Sequence, residues 1–172
     1  MPANPLKIGI VMDPIESITT KKDSSFAMLL EARRRGAEIH YFEQRDLKLL
    51  SGKALGLSRR LDVRDDPADW FTLGDRHEVA LGDLDAILMR KDPPFDMEYV
   101  YTTYILERAQ RDGALIVNDP QALRDMNEKA YTAWFPDCTP ITLITRSMSD
   151  MKDFLKTHDQ IVVKPLDGMG GR

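Results

Sequence analysis

The sequence predicts an α/β protein: an open, mainly parallel sheet within residues 1–124, followed by a smaller second domain that begins within residues 125–172. Two observations carry this. Residues 7–44 read as strand, loop, helix and strand, the unit from which open parallel sheets are built. Two further short apolar runs, Ala86–Met89 and Ala114–Asp119, flank a second amphipathic helix, so the unit occurs twice.

Taken in order, Lys7–Asp13 (KIGIVMD) is a continuous apolar run closed by an acid and Pro14, as in a strand buried on both faces. The loop PIESITTKKD leads to a helix over Ser24–Arg35. Phe26, Leu29 and Leu30 share one side of it, Asp23 or Ser24 caps it, and Gly36 ends it. Ala37–Gln44 alternates well enough for a second strand. Between Leu47 and Gly82 apolar residues are sparse and charges dense; LSRRLDVRDDPADWF reads as a polar hairpin followed by a short amphipathic piece. Ala86–Met89 is a buried strand that Pro93 and Pro94 halt. Met97, Val100, Tyr101, Tyr104 and Ile105 then follow the spacing of one helical face, which predicts a helix buried on that side, capped by Asp96 and stopped by Gly113. Ala114–Asp119 is the next strand.

The style changes after Pro120. PQALRDMNEKAYTAWF reads as two short helices or one interrupted helix, TPITLITRS as a strand, and Met148–His158 as a helix. Ser147 and Asp150 form a capping pair for that helix, and Met151, Phe154 and Leu155 supply its apolar stripe. QIVVKP is a final strand. A boundary therefore falls between residues 120 and 126. The second piece is about fifty residues, at or below the size that folds alone.

Composition narrows the function classes. The 172 residues carry a formal net charge of -4 and a pI near 5.4. That argues against nucleic acid as the main partner, since backbone binding needs a concentrated basic face. Arg33, Arg34 and Arg35 then read as solvated helix surface. Cys138 is the only cysteine, so neither an intramolecular disulfide nor a cysteine-built metal site is available, and a reduced, cytoplasmic setting fits. The N-terminal apolar run is far too short for a membrane span.

In an open parallel sheet the ligand lies beyond the carboxyl ends of the strands. The loops there carry Asp13 after the first strand, then Lys21, Lys22, Asp23, Ser24 and Ser25 at a helix N-terminus, where free N–H groups attract anions. Asp23 and Ser24 also suit plain helix capping. MRKDPP puts Arg90, Lys91 and Asp92 at the end of the central strand. A cation in that position needs an anion: Asp92, Asp13 and a substrate carboxylate are all open to Arg90. Near the end of the sequence, VVKPLDGMGGR is neither a Walker loop, since Lys164 precedes the glycines, nor a dinucleotide fingerprint. What remains is a strand that delivers a lysine to a flexible loop, suited to nucleotide phosphates or to a plain surface turn.

GIVMDPI, KKDSSFAMLLEA, ILMRKDPPFD, TYILERA, NEKAYTAWF and KPLDGMGG, six segments in order along the chain, resemble the N-terminal half of the bacterial type of glutathione synthetases, which are ATP-grasp carboxylate–amine ligases. The resemblance implies a pre-ATP-grasp, Rossmann-like domain followed by the first part of an ATP-grasp domain. It implies that Lys129 and Lys164 act on ATP phosphates, and that Asp167, Gly168, Met169, Gly170 and Gly171 begin the glycine-rich loop over the γ-phosphate. Arg90 falls on the substrate side as a catalytic residue, with Asp13, Asp23, Ser24 and Ser25 facing the same cleft. The implied reaction joins γ-glutamylcysteine to glycine through an acyl phosphate, with Mg2+ or Mn2+, in a cytoplasmic homotetramer. Family members continue for about as many residues again, so the metal ligands are expected there, and the chain is expected to be inactive by itself. Another ATP-grasp ligase, or a binding or assembly module without catalysis, would also fit the residues. Cys138 reads as structural.

Overall fold

The computed structural model describes residues 4–167. The chain divides into two compact units, Met1–Ala122 and Leu123–Arg172. The first contains strands β1 (Lys7–Val11), β2 (Glu38–Phe42), β3 (Leu47–Leu50), β4 (Lys53–Val63), β5 (Phe71–Ala80), β6 (Ala86–Met89) and β7 (Leu115–Val117), with helices α1 (Ser24–Arg34) and α2 (Met97–Arg111). They form one open sheet in the order β3-β4-β2-β1-β6-β7, with β5 paired to β4. β1 lies parallel to β2 and to β6, and β6 parallel to β7, as the two strand–helix–strand units require.

The rest of the sheet is antiparallel, because β4 pairs that way with β2, β3 and β5. The polar hairpin expected between Leu47 and Gly82 is present, but it is a pair of long strands of 11 and 10 residues, and β5 occupies the place of the expected amphipathic piece. The inward positions of β4 include Ala54, Gly56 and Ser58 as well as Leu61 and Val63. Small and polar residues at buried sites mute the apolar alternation that would announce a strand. Gly56 is small for a reason: a Cβ there would lie 2.6 Å from Phe42 Cε1 and 2.9 Å from Leu81 Cδ2. Gly56→Ala is therefore expected to destabilise the first unit by about 1–3 kcal/mol through overpacking. A urea melt that matches the wild type would contradict this close packing.

Helix ends follow the sequence. Asp23 caps α1 by accepting from the Phe26 N–H at 2.8 Å, and Asp96 caps α2 through the Tyr99 N–H at 2.9 Å. Gly36 and Gly113 take positive φ values of 75° and 125° just past the two helices, which L-residues rarely adopt. The buried face of α2 differs from the expected one. Met97 (57% exposed), Tyr101 (57%) and Tyr104 (49%) face outward, whereas Tyr99, Thr102, Thr103, Leu106 and Ala109 are buried. The threonines account for the rotation. Their hydroxyls donate to Glu98 and Val100 carbonyls at 2.9 and 2.6 Å, so two nominally polar residues bury without loss of a hydrogen bond.

A buried histidine lies in this sheet. His40 on β2 is 3% exposed, with Nδ1 2.9 Å from Ser58 Oγ and Nε2 2.9 Å from Glu38 Oε1. Burial, with His77 and Lys7 adding, pushes its pKa down to about 4. Glu38 also pairs with Arg60, which takes up much of its charge. The unfolded chain, with an ordinary imidazole near 6.5, binds the proton first. Stability is thus fully present above about pH 6.5 and falls as pH drops toward 4, by roughly 2–3 kcal/mol from this residue. Denaturant melts at pH 7 and pH 5 should show a smaller acid loss in His40→Gln than in the wild type; equal losses would contradict the burial cause.

α3 (Pro120–Asp125) carries the chain across the boundary between the units. The second unit then has short 3-10 turns at Ala130–Trp134 and Pro136–Cys138 and helix α4 (Met148–His158). The interrupted helix and α4 match the expectation, including the Ser147 cap, whose Oγ accepts from the Asp150 N–H at 3.3 Å. TPITLITRS and QIVVKP do not form strands. A strand exists only through a hydrogen-bonded neighbour, and these segments have none among the described residues. Ile141, Val162 and Val163 are exposed along them, and α4 buries none of its residues. Among the described residues no helix is long and apolar enough to cross a membrane.

Candidate active site

The sheet's topology selects one place for chemistry. From β1 the chain crosses over through α1 to β2 on one side, and from β6 through α2 to β7 on the other. Right-handed crossovers in opposite directions put the two helices on opposite faces and open a crevice between β1 and β6 at their carboxyl ends. Asp13 follows β1, and Arg90, Lys91 and Asp92 follow β6. Arg90 is anchored by its own backbone, whose N–H donates to the Val11 carbonyl at 2.7 Å.

The side chains resolve the choice left open for Arg90 among protein partners. Its Nε donates to Ser25 Oγ at 3.0 Å and its NH2 to Ser24 Oγ at 2.7 Å, so both serines at the start of α1 receive it. Among the described residues no carboxylate pairs with Arg90, and its NH1 has no hydrogen-bond partner. Asp13 is engaged elsewhere: Oδ1 lies 2.9 Å from Lys91 Nζ and Oδ2 accepts from the Asp92 N–H at 3.0 Å. Lys91 also donates to the Asp92 carbonyl at 2.5 Å. Asp23 faces the same space while capping α1. Together Asp13, Lys22, Asp23, Ser24, Ser25, Arg90 and Asp92, over Met12 and Ile18, enclose a cavity of about 210 Å³. Burial raises the Tyr99 hydroxyl pKa, and the positive charge of nearby Arg90 acts in the opposite sense.

A second hollow of about 440 Å³ shares Met12 and Asp13 with the first. Its far wall includes Glu43, Gln44 and Arg45, directly after β2, and Tyr101 on the outward face of α2. Glu43, Gln44 and Arg45 escaped the sequence reading as site residues. The available signal was their position: they follow the β2 carboxyl end, on the same edge as Asp13. Tyr41 braces this edge, since its hydroxyl accepts from the Ile15 N–H at 3.2 Å and donates to the Asp13 carbonyl at 3.4 Å; burial raises its pKa.

In the second unit, Asn127 organises the lysine segments. Its Oδ1 accepts from the N–H groups of Lys129 and Ala130 at 3.0 and 2.9 Å, the side-chain turn that opens the 3-10 segment. Its Nδ2 donates to the Leu166 carbonyl at 3.2 Å. One asparagine thus ties the Lys129 turn to the stretch carrying Lys164 and Asp167, both of which are exposed. The Lys129 ammonium lies 3.4 Å from Glu128. Asn127 was missed as a functional candidate, although an asparagine two residues before a lysine is a readable turn signal. Gly168, Met169, Gly170 and Gly171 lie outside the described residues. Cys138 is exposed. Among the described residues no three His, Cys, Asp or Glu side chains come together as a metal-binding group.

Comparison with known proteins agrees along both units. Residues 6–124 match the model of the prokaryotic glutathione synthetase N-terminal domain, and residues 128–172 that of the prokaryotic glutathione synthetase ATP-grasp domain. Glutathione synthetases of Vibrio cholerae and Escherichia coli K12 are each 58% identical over 166 residues, covering 96% of this chain and 52% of theirs. That of Salmonella typhi is 59% identical over 96% of this chain and 53% of its own. The chain thus spans about half the length of the curated relatives it matches. A solved structure of the ATP-grasp ligase PsnB, complexed with a minimal precursor, is similar in fold at TM-score 0.55 and 16% identity, covering 96% of this chain and 55% of that one. The chain belongs to the prokaryotic glutathione synthetase family.

Proposed function

We propose that the full-length protein is an ATP-dependent ligase that joins γ-glutamylcysteine to glycine, giving glutathione, ADP and phosphate. The observation that carries this reading is the match to both domains of the family, in order, over residues 6–124 and 128–172. Residues 1–124 serve as the substrate-side domain, and residues 125–172 begin the ATP-grasp domain. Homotetrameric assembly in the cytoplasm, with neither nucleic acid nor membrane as partner, belongs to the same reading.

The residues suit that chemistry. A carboxylate is a poor electrophile and must first become a mixed anhydride. The cysteinyl carboxylate oxygen attacks the γ-phosphorus of ATP, the bond to the ADP oxygen breaks, and an acyl phosphate forms. The glycine amine then attacks the acyl carbon, loses a proton, and phosphate departs. Arg90 presents a charged fork to a substrate carboxylate, while Ser24, Ser25, Asp13 and Asp23 shape the cavity around it. Lys129 and Lys164 offset phosphate charge, positioned through the Asn127 bridge. Asp167 to Gly171 begin a lid that keeps water from the acyl phosphate. The ammonium groups of Lys129 and Lys164 suit nucleotide phosphates as point charges. Among the described residues no His, Cys, Asp or Glu cluster forms a site for Mg2+ or Mn2+; in this reading the ion would be held by the remainder of the full-length ATP-grasp domain and would offset phosphate charge there.

The test is mass-spectrometric detection of glutathione formed by the full-length protein from ATP, γ-glutamylcysteine and glycine. Products with other amines but none with glycine would move the protein to a different ligase specificity, and no ATP-dependent product at all would leave a binding module.

A further inference from the structure

The cavity holding Arg90 presents an electrostatic problem. Three carboxylates, Asp13, Asp23 and Asp92, line the same 210 Å³ space as the guanidinium, yet none pairs with it, Asp23 being the N-cap of α1. An arginine beside free carboxylates in a partly dry site would ordinarily take one of them bidentately. A receptor already so occupied recognises an external carboxylate poorly. Lys91 prevents this for Asp13: its ammonium lies 2.9 Å from Oδ1, with only 17% of the lysine side chain exposed, and the Asp92 N–H takes Oδ2. The Asp13 charge is thereby matched within the β1 and β6 loops. Arg90 meets only neutral hydroxyls on Nε and NH2, which hold its orientation without cancelling its charge.

We propose that Lys91 is a guard residue: by occupying Asp13 it keeps the Arg90 guanidinium uncompensated, with its NH1 edge open to the substrate carboxylate. Ser24 and Ser25 are the matching positioning residues, fixing the opposite edge of the fork. The proposal rests on the ligase reading above, with Arg90 as the carboxylate receptor. It gives Lys91 a role without substrate contact.

The experiment measures KM for γ-glutamylcysteine and for ATP in the full-length protein, with thermal melts as the folding control. Lys91→Met releases Asp13 onto Arg90 and is expected to raise the γ-glutamylcysteine KM about tenfold, with ATP KM changing far less. Adding Asp13→Asn removes the competing charge, so the double variant should recover at least half of that loss on a logarithmic scale. Lys91→Arg, which keeps a cation against Asp13, should recover it too, and covers the case in which Lys91→Met fails to fold. A Lys91→Met enzyme with normal peptide KM overturns the proposal. So does a double variant no better than Lys91→Met, the result expected if Lys91 touches the substrate itself. Arg90→Ala in the same series separates the two levels: a normal peptide KM there defeats the receptor reading, whereas a raised one beside an unaffected Lys91→Met defeats only the guard.

Discussion

Arg90→Ala in the full-length protein is expected to raise the KM for γ-glutamylcysteine by roughly a hundredfold, while the KM for ATP stays within about twofold. The magnitude follows from losing one charge-assisted, bidentate carboxylate contact in a partly enclosed site, about 3 kcal/mol. The selectivity follows from placement. Arg90 belongs to the switch-point crevice of the first unit, held by Ser24 and Ser25, whereas the lysines assigned to phosphate lie in the second unit. Arg90→Lys should repair little, because a single ammonium cannot bond both hydroxyls and a carboxylate in the fork geometry. Steady-state kinetics with each substrate varied in turn checks this, and equal changes in both KM values would place Arg90 on the nucleotide instead.

The second large effect is expected at Lys164. Lys164→Ala should lower kcat/KM for ATP by roughly ten- to a hundredfold, with the peptide KM little changed, since it removes a point charge from the transferring phosphoryl group. Lys129→Ala should act in the same direction. Asn127→Ala offers a finer check: it leaves both ammonium groups in place but removes the bridge from the Lys129 turn to Leu166. If the bridge positions the lysines, ATP kinetics weaken although no cation is lost. Normal ATP kinetics in Lys164→Ala would remove its phosphate role.

Legibility of the fold in the sequence varies with the kind of burial involved. β1 and β6 were legible because both faces are covered, so KIGIV and AILM read as apolar runs. α1, α2 and α4 were legible from their caps, since Asp23, Asp96 and Ser147 each accept the N–H that a cap must satisfy. The buried face of α2 was not legible, because Thr102 and Thr103 return their hydroxyls to the helix backbone and bury as if apolar. The length of the β4–β5 hairpin was hidden by Gly56 and Ser58 at inward positions. TPITLITRS and QIVVKP have strand composition, yet composition supplies no ladder partner.

The site was legible by location more than by contact. A strand end followed by Asp13, and another followed by Arg90, Lys91 and Asp92, mark the crevice in the sequence itself. Which cation met which anion was not readable. Asp13 and Arg90 are opposite in charge and line one cavity, and only the fold reveals that Lys91 takes the acid while serines take the arginine. Gln44 was missed for the same reason: an amide declares neither charge nor partner in a sequence.

In the proposed reaction of the full-length protein a substrate carboxylate is activated by phosphoryl transfer and then captured by an amine. Isotope transfer reports on the activation step. With γ-glutamylcysteine labelled by 18O in its cysteinyl carboxylate, turnover by the full-length protein with ATP and glycine should deliver one 18O atom into the inorganic phosphate for each glutathione formed. Phosphate free of label, or release of AMP and pyrophosphate, would contradict it.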